Sequence, residues 1–115
     1  MIWECKNVPP KDVEGTSDVF IVGKLGDDSL NTDTHLKSNG YGSFNWRMKW
    51  KIKLPNKNNV IHFQIWDQDF LDRNDFIGET SINFEDQAVK AYETENSVKV
   101  YYHILYYIFV MLIKR

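Results

Sequence analysis

Along residues 44–54 apolar and polar side chains alternate without a break. Phe44, Trp46, Met48, Trp50, Ile52 and Leu54 are separated by Asn45, Arg47, Lys49, Lys51 and Lys53. A period of two over this length predicts a half-buried β-strand, with one wholly apolar face and one face carrying four cations. Residues 60–66 repeat the period, with Ile61, Phe63 and Ile65 on one side and His62 on the other. Strands are also predicted over residues 1–5, 18–25 and 76–84, and a weakly patterned one over 32–37. Pro, Gly, Asn and Asp mark turns or loops at 7–15, 26–28, 39–42 and 55–59. Residues 84–92 carry a different spacing, Phe84, Ala88 and Ala91, which predicts a short helix with these three on one side. Seven or eight short strands with almost no helix indicate an all-β protein, an antiparallel β-sandwich.

The last stretch is harder to place. Residues 100–113 are almost entirely apolar and end in Lys114 and Arg115. A helix of that length would rise only about 21 Å, against roughly 30 Å of membrane hydrocarbon. No Gly, Pro or Asn interrupts the run, so a hairpin of two strands is not expected. It reads as a last strand with a cut-off anchor, as one long buried strand, or as a non-native end. The expected division is a domain over 1–106 and an apolar tail of unknown role over 107–115.

At 115 residues the chain is long enough for one self-sufficient core. It opens almost inside its first strand, which suggests a piece of a longer protein. A net charge of −2 argues against a general nucleic-acid partner. The lone Cys5 allows neither an intrachain disulfide nor a cysteine zinc cluster, which fits a reducing compartment. The first residues lack the basic and apolar regions of a signal peptide.

The densest chemistry lies in IWDQDFLDRNDFIGE, residues 65–79, where Asp67, Asp69 and Asp75 are spaced D-x-D-x5-D around Asp72. Carboxylates packed so closely repel unless a cation joins them, and calcium accepts six to eight oxygens in irregular geometry. An EF-hand is excluded: counting from Asp67, the sixth position is Asp72 instead of Gly and the twelfth is Gly78 instead of Glu. The flanks read as strands, so this is an acidic loop between two of them. A second acidic loop, DVEGTSD, holds Asp12 and Asp18. Acidic surface loops are often merely solvated, and spacing alone does not bring these two together. Paired carboxylates also serve glycosidases, but that chemistry needs a cleft and one raised pKa. His35, His62 and His103 are scattered over strands, and Cys5 reads as a packed thiol. No catalysis is expected.

The segments VPPKDVEGTSDVF and IWDQDFLDRNDFIGE, with the Trp46 strand between them, resemble a C2 domain. The resemblance implies an eight-stranded antiparallel sandwich with both acidic loops at one end. There the family's five aspartates hold calcium ions, and the loaded loops dock on anionic phospholipid. The matching positions are Asp12, Asp18, Asp67, Asp69 and Asp75. Backbone carbonyls are implied as ligands at Lys11 and Gln68, and Asp72 matches a position that sometimes supplies another. Val13 and Leu71 match the far ends of the two acidic loops, with Phe70 beside Leu71, and these side chains are expected to enter the membrane, the alternative being that they fold back and cap the end of the sandwich. Arg47, Lys49, Lys51 and Lys53 are either a solvated strand face or a polybasic patch, and the resemblance implies phosphoinositide headgroups for the latter. Within the family, TDTHLKSNGYGSFNWR is similar to a segment of ferlins. That implies a tail-anchored parent at the cytosolic face of membranes, acting with protein partners in calcium-triggered vesicle fusion or membrane repair. The competing expectation is a calcium-independent C2 module for protein interaction or phosphoinositide binding. The complete set of aspartates argues against it.

Overall fold

The computed structural model describes residues 2–6, 17–38, 41–53, 56–69, 73–96, 98–104 and 107–113. Among these, nine strands and one helix follow in chain order: β1 (Ile2–Lys6), β2 (Ser17–Leu25), β3 (Asp28–Asn31), β4 (His35–Ser38), β5 (Tyr41–Trp46), β6 (Val60–Asp67), β7 (Asp75–Asn83), α1 (Glu85–Thr94), β8 (Val98–Ile104) and β9 (Tyr107–Ile113). One sheet has the order β5-β1-β9-β8; the other has β3-β2-β6-β7, with β4 also paired to β2. All these pairings are antiparallel. β3 and β4 lie end to end along one edge of β2, at Val22–Leu25 and at Ser17–Val19, so together they fill a single strand position. The architecture is the expected antiparallel sandwich.

Alternation sets the core. Val19, Ile21 and Leu25 of β2, Ile61, Phe63 and Ile65 of β6, and Ile82 of β7 are buried against Ile2 of β1 and Phe44 of β5. The predicted helix forms, and Phe84, Ala88 and Ala91 are its buried side. Asn83 Oδ1 accepts the Glu85 amide at 3.0 Å. Glu85 and Asp86 in the first turn complement the positive end of the helix dipole.

Three expectations are corrected. The strand predicted over 44–54 ends at Trp46. Between Ile2↔Trp46 and Glu4↔Ser43 the fifth strand carries one extra residue, a bulge, and Asn45 sits there with φ 48°. Beyond it the chain leaves the ladder but keeps its alternation. Met48, Trp50 and Ile52 pack on the core, while Arg47, Lys49, Lys51 and Lys53 are exposed. A Cβ on Gly23 of β2 would lie 2.8 Å from both Met48 Sδ and Trp50 Cη2. Trp50 also meets the Phe63 ring edge-on at 6.4 Å. The period therefore reported burial and not strand pairing. Trp46, expected on the apolar face, is 37% exposed.

Of the strand predicted over 32–37 only the second half forms, as β4, and a further strand, β3, precedes it. β3 begins at Asp28, and buried Thr32 separates it from β4. The Thr32 hydroxyl accepts the Ile21 amide at 2.9 Å and donates to Asp33 O at 2.8 Å. A side chain here takes a backbone partner's place in the ladder.

The third correction concerns the apolar end. The hairpin judged unexpected is present: β8 pairs with β9 from Val98↔Ile113 to Ile104↔Tyr107. Residues 107–113, set apart as a tail, are a strand lying between β8 and β1. Val, Tyr, Ile and Phe favour strands. Among the described residues, no helix is long and apolar enough to cross a membrane.

Candidate functional site

Two neighbouring strands bring acidic residues to one end of the second sheet. β6 ends at Asp67 and β7 begins at Asp75, and these two residues face each other across the ladder. On the other side of β6, Asp67 pairs with Val19, so Asp18 is one step from the same rung. The link is tight: the Asp18 amide donates to Asp67 Oδ1 at 2.7 Å, and the Gln68 amide donates to Asp18 O at 2.8 Å. Directly opposed Cβ atoms, as on the rung of Asp67 and Asp75, lie about 4.5–5.5 Å apart. Like charges at that separation destabilise a sheet.

Asp67 is 2% exposed, on the same inward-facing side of β6 as Ile61, Phe63 and Ile65. Burying a carboxylate is unfavourable unless hydrogen bonds or a positive charge compensate it. The loop that follows is held by side-chain bonds. Asn74 Oδ1 accepts the Asp69 amide at 3.0 Å, and Thr34 donates to Gln68 Oε1 at 2.6 Å. Neither Thr34 nor Asn74 was singled out from the sequence. The available signal was the tendency of Asn to bond nearby backbone in turns.

Asp18, Asp67 and Asp75 are thus brought to one end, with Asp69 two residues beyond the end-rung residue Asp67. Lys11, Asp12, Val13, Phe70, Leu71 and Asp72 lie outside the described residues. Among the described residues, no three His, Cys, Asp or Glu side chains converge closely enough to hold a metal ion. The donor chemistry nonetheless suits a hard cation. The set consists of hard carboxylate oxygens, which suit calcium and suit soft transition metals poorly.

The outer face below this end is ordered by a chain of polar contacts. Trp66 Nε1 donates to Gln64 Oε1 at 3.0 Å, and Gln64 Nε2 donates to Glu79 Oε1 at 3.2 Å. His62 Nδ1 lies 2.7 Å from Ser81 Oγ and 3.6 Å from Glu79 Oε1. Ser and Glu approach the same ring nitrogen, so they do not form a relay through the imidazole. His62 is exposed, as its place on the outer face of β6 predicts.

Comparison with known proteins agrees with this architecture. Over 106 residues, 87% of this chain, the sequence is 30% identical to Ferlin 1 of Toxoplasma gondii, and it spans 7% of that protein. It is 32% identical over 82 residues, 70% of the chain, to human Ras GTPase-activating protein 4B, of which it spans 10%. A C2 domain of plant Extended Synaptotagmin 1 superposes with a TM-score of 0.67 at 16% identity, covering 96% of this chain and 86% of that one. At that identity the superposition speaks for the fold alone. The sequence model of the C2 domain matches residues 1–101. With that match over most of its length, and with the sandwich just described, the chain belongs to the C2 domain family.

Proposed function

We propose that this domain binds anionic phospholipid in response to calcium. The observation that carries the reading is the end rung on which Asp67 opposes Asp75, with Asp18 bonded to Asp67. Asp12, Asp18, Asp67, Asp69 and Asp75 would hold the ions, assisted by the carbonyls of Lys11 and Gln68 and by Asp72. Two ions would set four positive charges against the five negative ones of Asp12, Asp18, Asp67, Asp69 and Asp75, with Arg73 offsetting Asp72. When bound, calcium offers unfilled coordination positions to lipid phosphate oxygens.

The chain's own residues do the rest. Without the ion, the clustered carboxylates repel an anionic leaflet. Asp67 is held in place by the Asp18 amide, and Thr34 and Asn74 hold Gln68 and Asp69. Val13, Phe70 and Leu71 are proposed to enter the bilayer. The exposed side chains of Arg47, Lys49, Lys51 and Lys53 add attraction to anionic lipid of about 1 kcal/mol each near the surface. The similarity to Ferlin 1 supports a parent that works at the cytosolic face of membranes in vesicle fusion or repair, with the fusion machinery as partner. In this reading residues 107–113 belong to the domain, as β9, and no reaction is catalysed.

The test is vesicle co-sedimentation in calcium and in chelator, with the parent domain and with Asp67→Asn combined with Asp69→Asn. Calcium-dependent binding that the double variant loses is expected. Equal binding by the parent in calcium and chelator overturns the reading and places the domain among calcium-independent C2 modules.

A further inference from the structure

We propose that the free edge of β7 takes up an extended segment of a partner protein as one more strand, a segment in which Lys or Arg alternates with apolar residues. β7 ends the second sheet and, among the described residues, pairs with β6 alone. At nine residues it is as long as any strand described. Such an edge presents a row of backbone N–H and C=O groups to any chain able to pair with them.

The other edges are blunted. β3 and β4 share the opposite edge of the same sheet as two strands of four residues each. In the first sheet β5 carries the bulge at Asn45, and α1 packs against β8. β7 contains neither Lys nor Pro, residues that commonly protect an edge. Its own bulge, at Ile77, is confined to one end, since Ile65 pairs with Gly78 and Trp66 with Phe76. From Gly78 to Asn83 the ladder with β6 is regular over six residues, roughly 20 Å. In an antiparallel ladder successive residues turn N–H and C=O to opposite sides, so half of these six present both groups away from β6.

Charge and burial name the partner. Residues 74–89 carry Asp75, Glu79, Glu85 and Asp86 and neither Lys nor Arg. A second copy docked through its own β7 would set these carboxylates against one another, whereas a cationic strand is attracted. The two faces of β7 differ. On the outer face Glu79 is approached by Gln64 Nε2 at 3.2 Å and His62 Nδ1 at 3.6 Å, both at Oε1, which leaves Oε2 for a partner's cation. Phe76 on the same face is 48% exposed, and its ring meets that of Trp66 edge-on at 5.4 Å. Trp66 is itself bonded to Gln64, so the exposed ring rests on a fixed support and offers its free face to a cation. On the inner face half-buried Gly78 and Thr80 and buried Ile82 continue the core to the edge. An added strand with cations on its outer side and apolar side chains on its inner side matches both rows. The pairing needs neither ion nor lipid, so it stands apart from the calcium reading.

The experiment is an NMR titration in chelator at physiological salt, with a capped peptide, Lys-Val-Lys-Thr repeated twice, as the probe. The parent domain is expected to bind it saturably, and hydrogen exchange should slow at alternate amides of residues 78–83. Glu79→Lys should weaken binding about 10-fold, because an attractive cross-strand pair becomes a repulsive one. Asp27→Asn with Asp28→Asn removes two carboxylates from the β2–β3 hairpin and should stay within about 2-fold of the parent. These side chains are exposed, and an unchanged melting temperature shows that the variants fold. A Lys-Pro repeat of the same length and charge cannot pair as a strand and should not bind saturably. No binding of the first peptide by the parent overturns the proposal. Equal binding of the Lys-Pro repeat, or binding without slowed exchange at 78–83, overturns it by showing diffuse attraction to negative charge, and this comparison needs no variant. Self-association of the domain that Glu79→Lys abolishes also overturns it, and assigns the edge to a second copy.

Discussion

Replacing Asp75 with Asn tests the candidate ion site from an unusual side, because it should make the calcium-free domain more stable. Asp75 faces Asp67 across the last rung of the β6–β7 ladder. At about 5 Å, two like charges repel by about 1 kcal/mol in water and about 3 kcal/mol at an effective dielectric constant of 20. Asp75 is exposed, so the lower figure governs. Asn keeps the shape and has a similarly low strand preference, so relief of repulsion is the main change. A gain of about 1 kcal/mol raises Tm by roughly 4 °C for a domain of this size. The gain should shrink in 1 M salt, where the screening length falls to about 3 Å. In calcium the order reverses. The parent, at a hundredfold excess of ion over Kd, gains about 2.7 kcal/mol, or roughly 10 °C, and the variant loses most of that. The assay is thermal unfolding of both proteins at low and high salt, in chelator and in calcium. A variant whose calcium-free Tm does not rise at low salt refutes the opposed-charge argument. A calcium shift equal to the parent's removes Asp75 from the ion site.

Other variants probe the scaffold and the loop tip. Gly23→Ala places a methyl group 2.8 Å from Met48 Sδ and Trp50 Cη2, and is expected to cost about 1–3 kcal/mol in urea unfolding. Unchanged stability would mean that the 47–53 segment does not cover β2. Thr32→Val leaves the Ile21 amide without its side-chain acceptor and should cost about 1–3 kcal/mol, while Thr32→Ser should restore most of it. If both variants unfold alike, the hydroxyl is not what ties the segment between β3 and β4 to β2. Phe70→Ala with Leu71→Ala should weaken binding to anionic vesicles about 100-fold in saturating calcium, at unchanged Tm, if these residues enter the bilayer. A large fall in Tm without a specific loss of vesicle binding would assign the pair to the core.

Local pattern by itself determined β2, β6, β7 and α1. In β6 a period of two, and in α1 the spacing of Phe84, Ala88 and Ala91, records contact with the core directly, while β2 and β7 follow from apolar, strand-favouring residues between turn signals. The donor types of the candidate site were legible too, because aspartates two residues apart at a strand end are readable without coordinates. The fold match to a C2 domain was legible in the same residues. Pairing partners were not. Whether residues 47–53 join a ladder depends on a bulge at Asn45 and on contact with Gly23, which lies more than twenty residues earlier in the chain. The break at Thr32 depends on a hydrogen bond to a different strand. The apolar run after residue 97 held no turn signal, and the place of β9 beside β1 joins opposite ends of the chain. The bond from Asp18 to Asp67 likewise spans 49 positions. Side-chain periodicity reports what a segment buries, whereas hydrogen-bond partners are chosen among distant segments, and only the tertiary structure makes that choice.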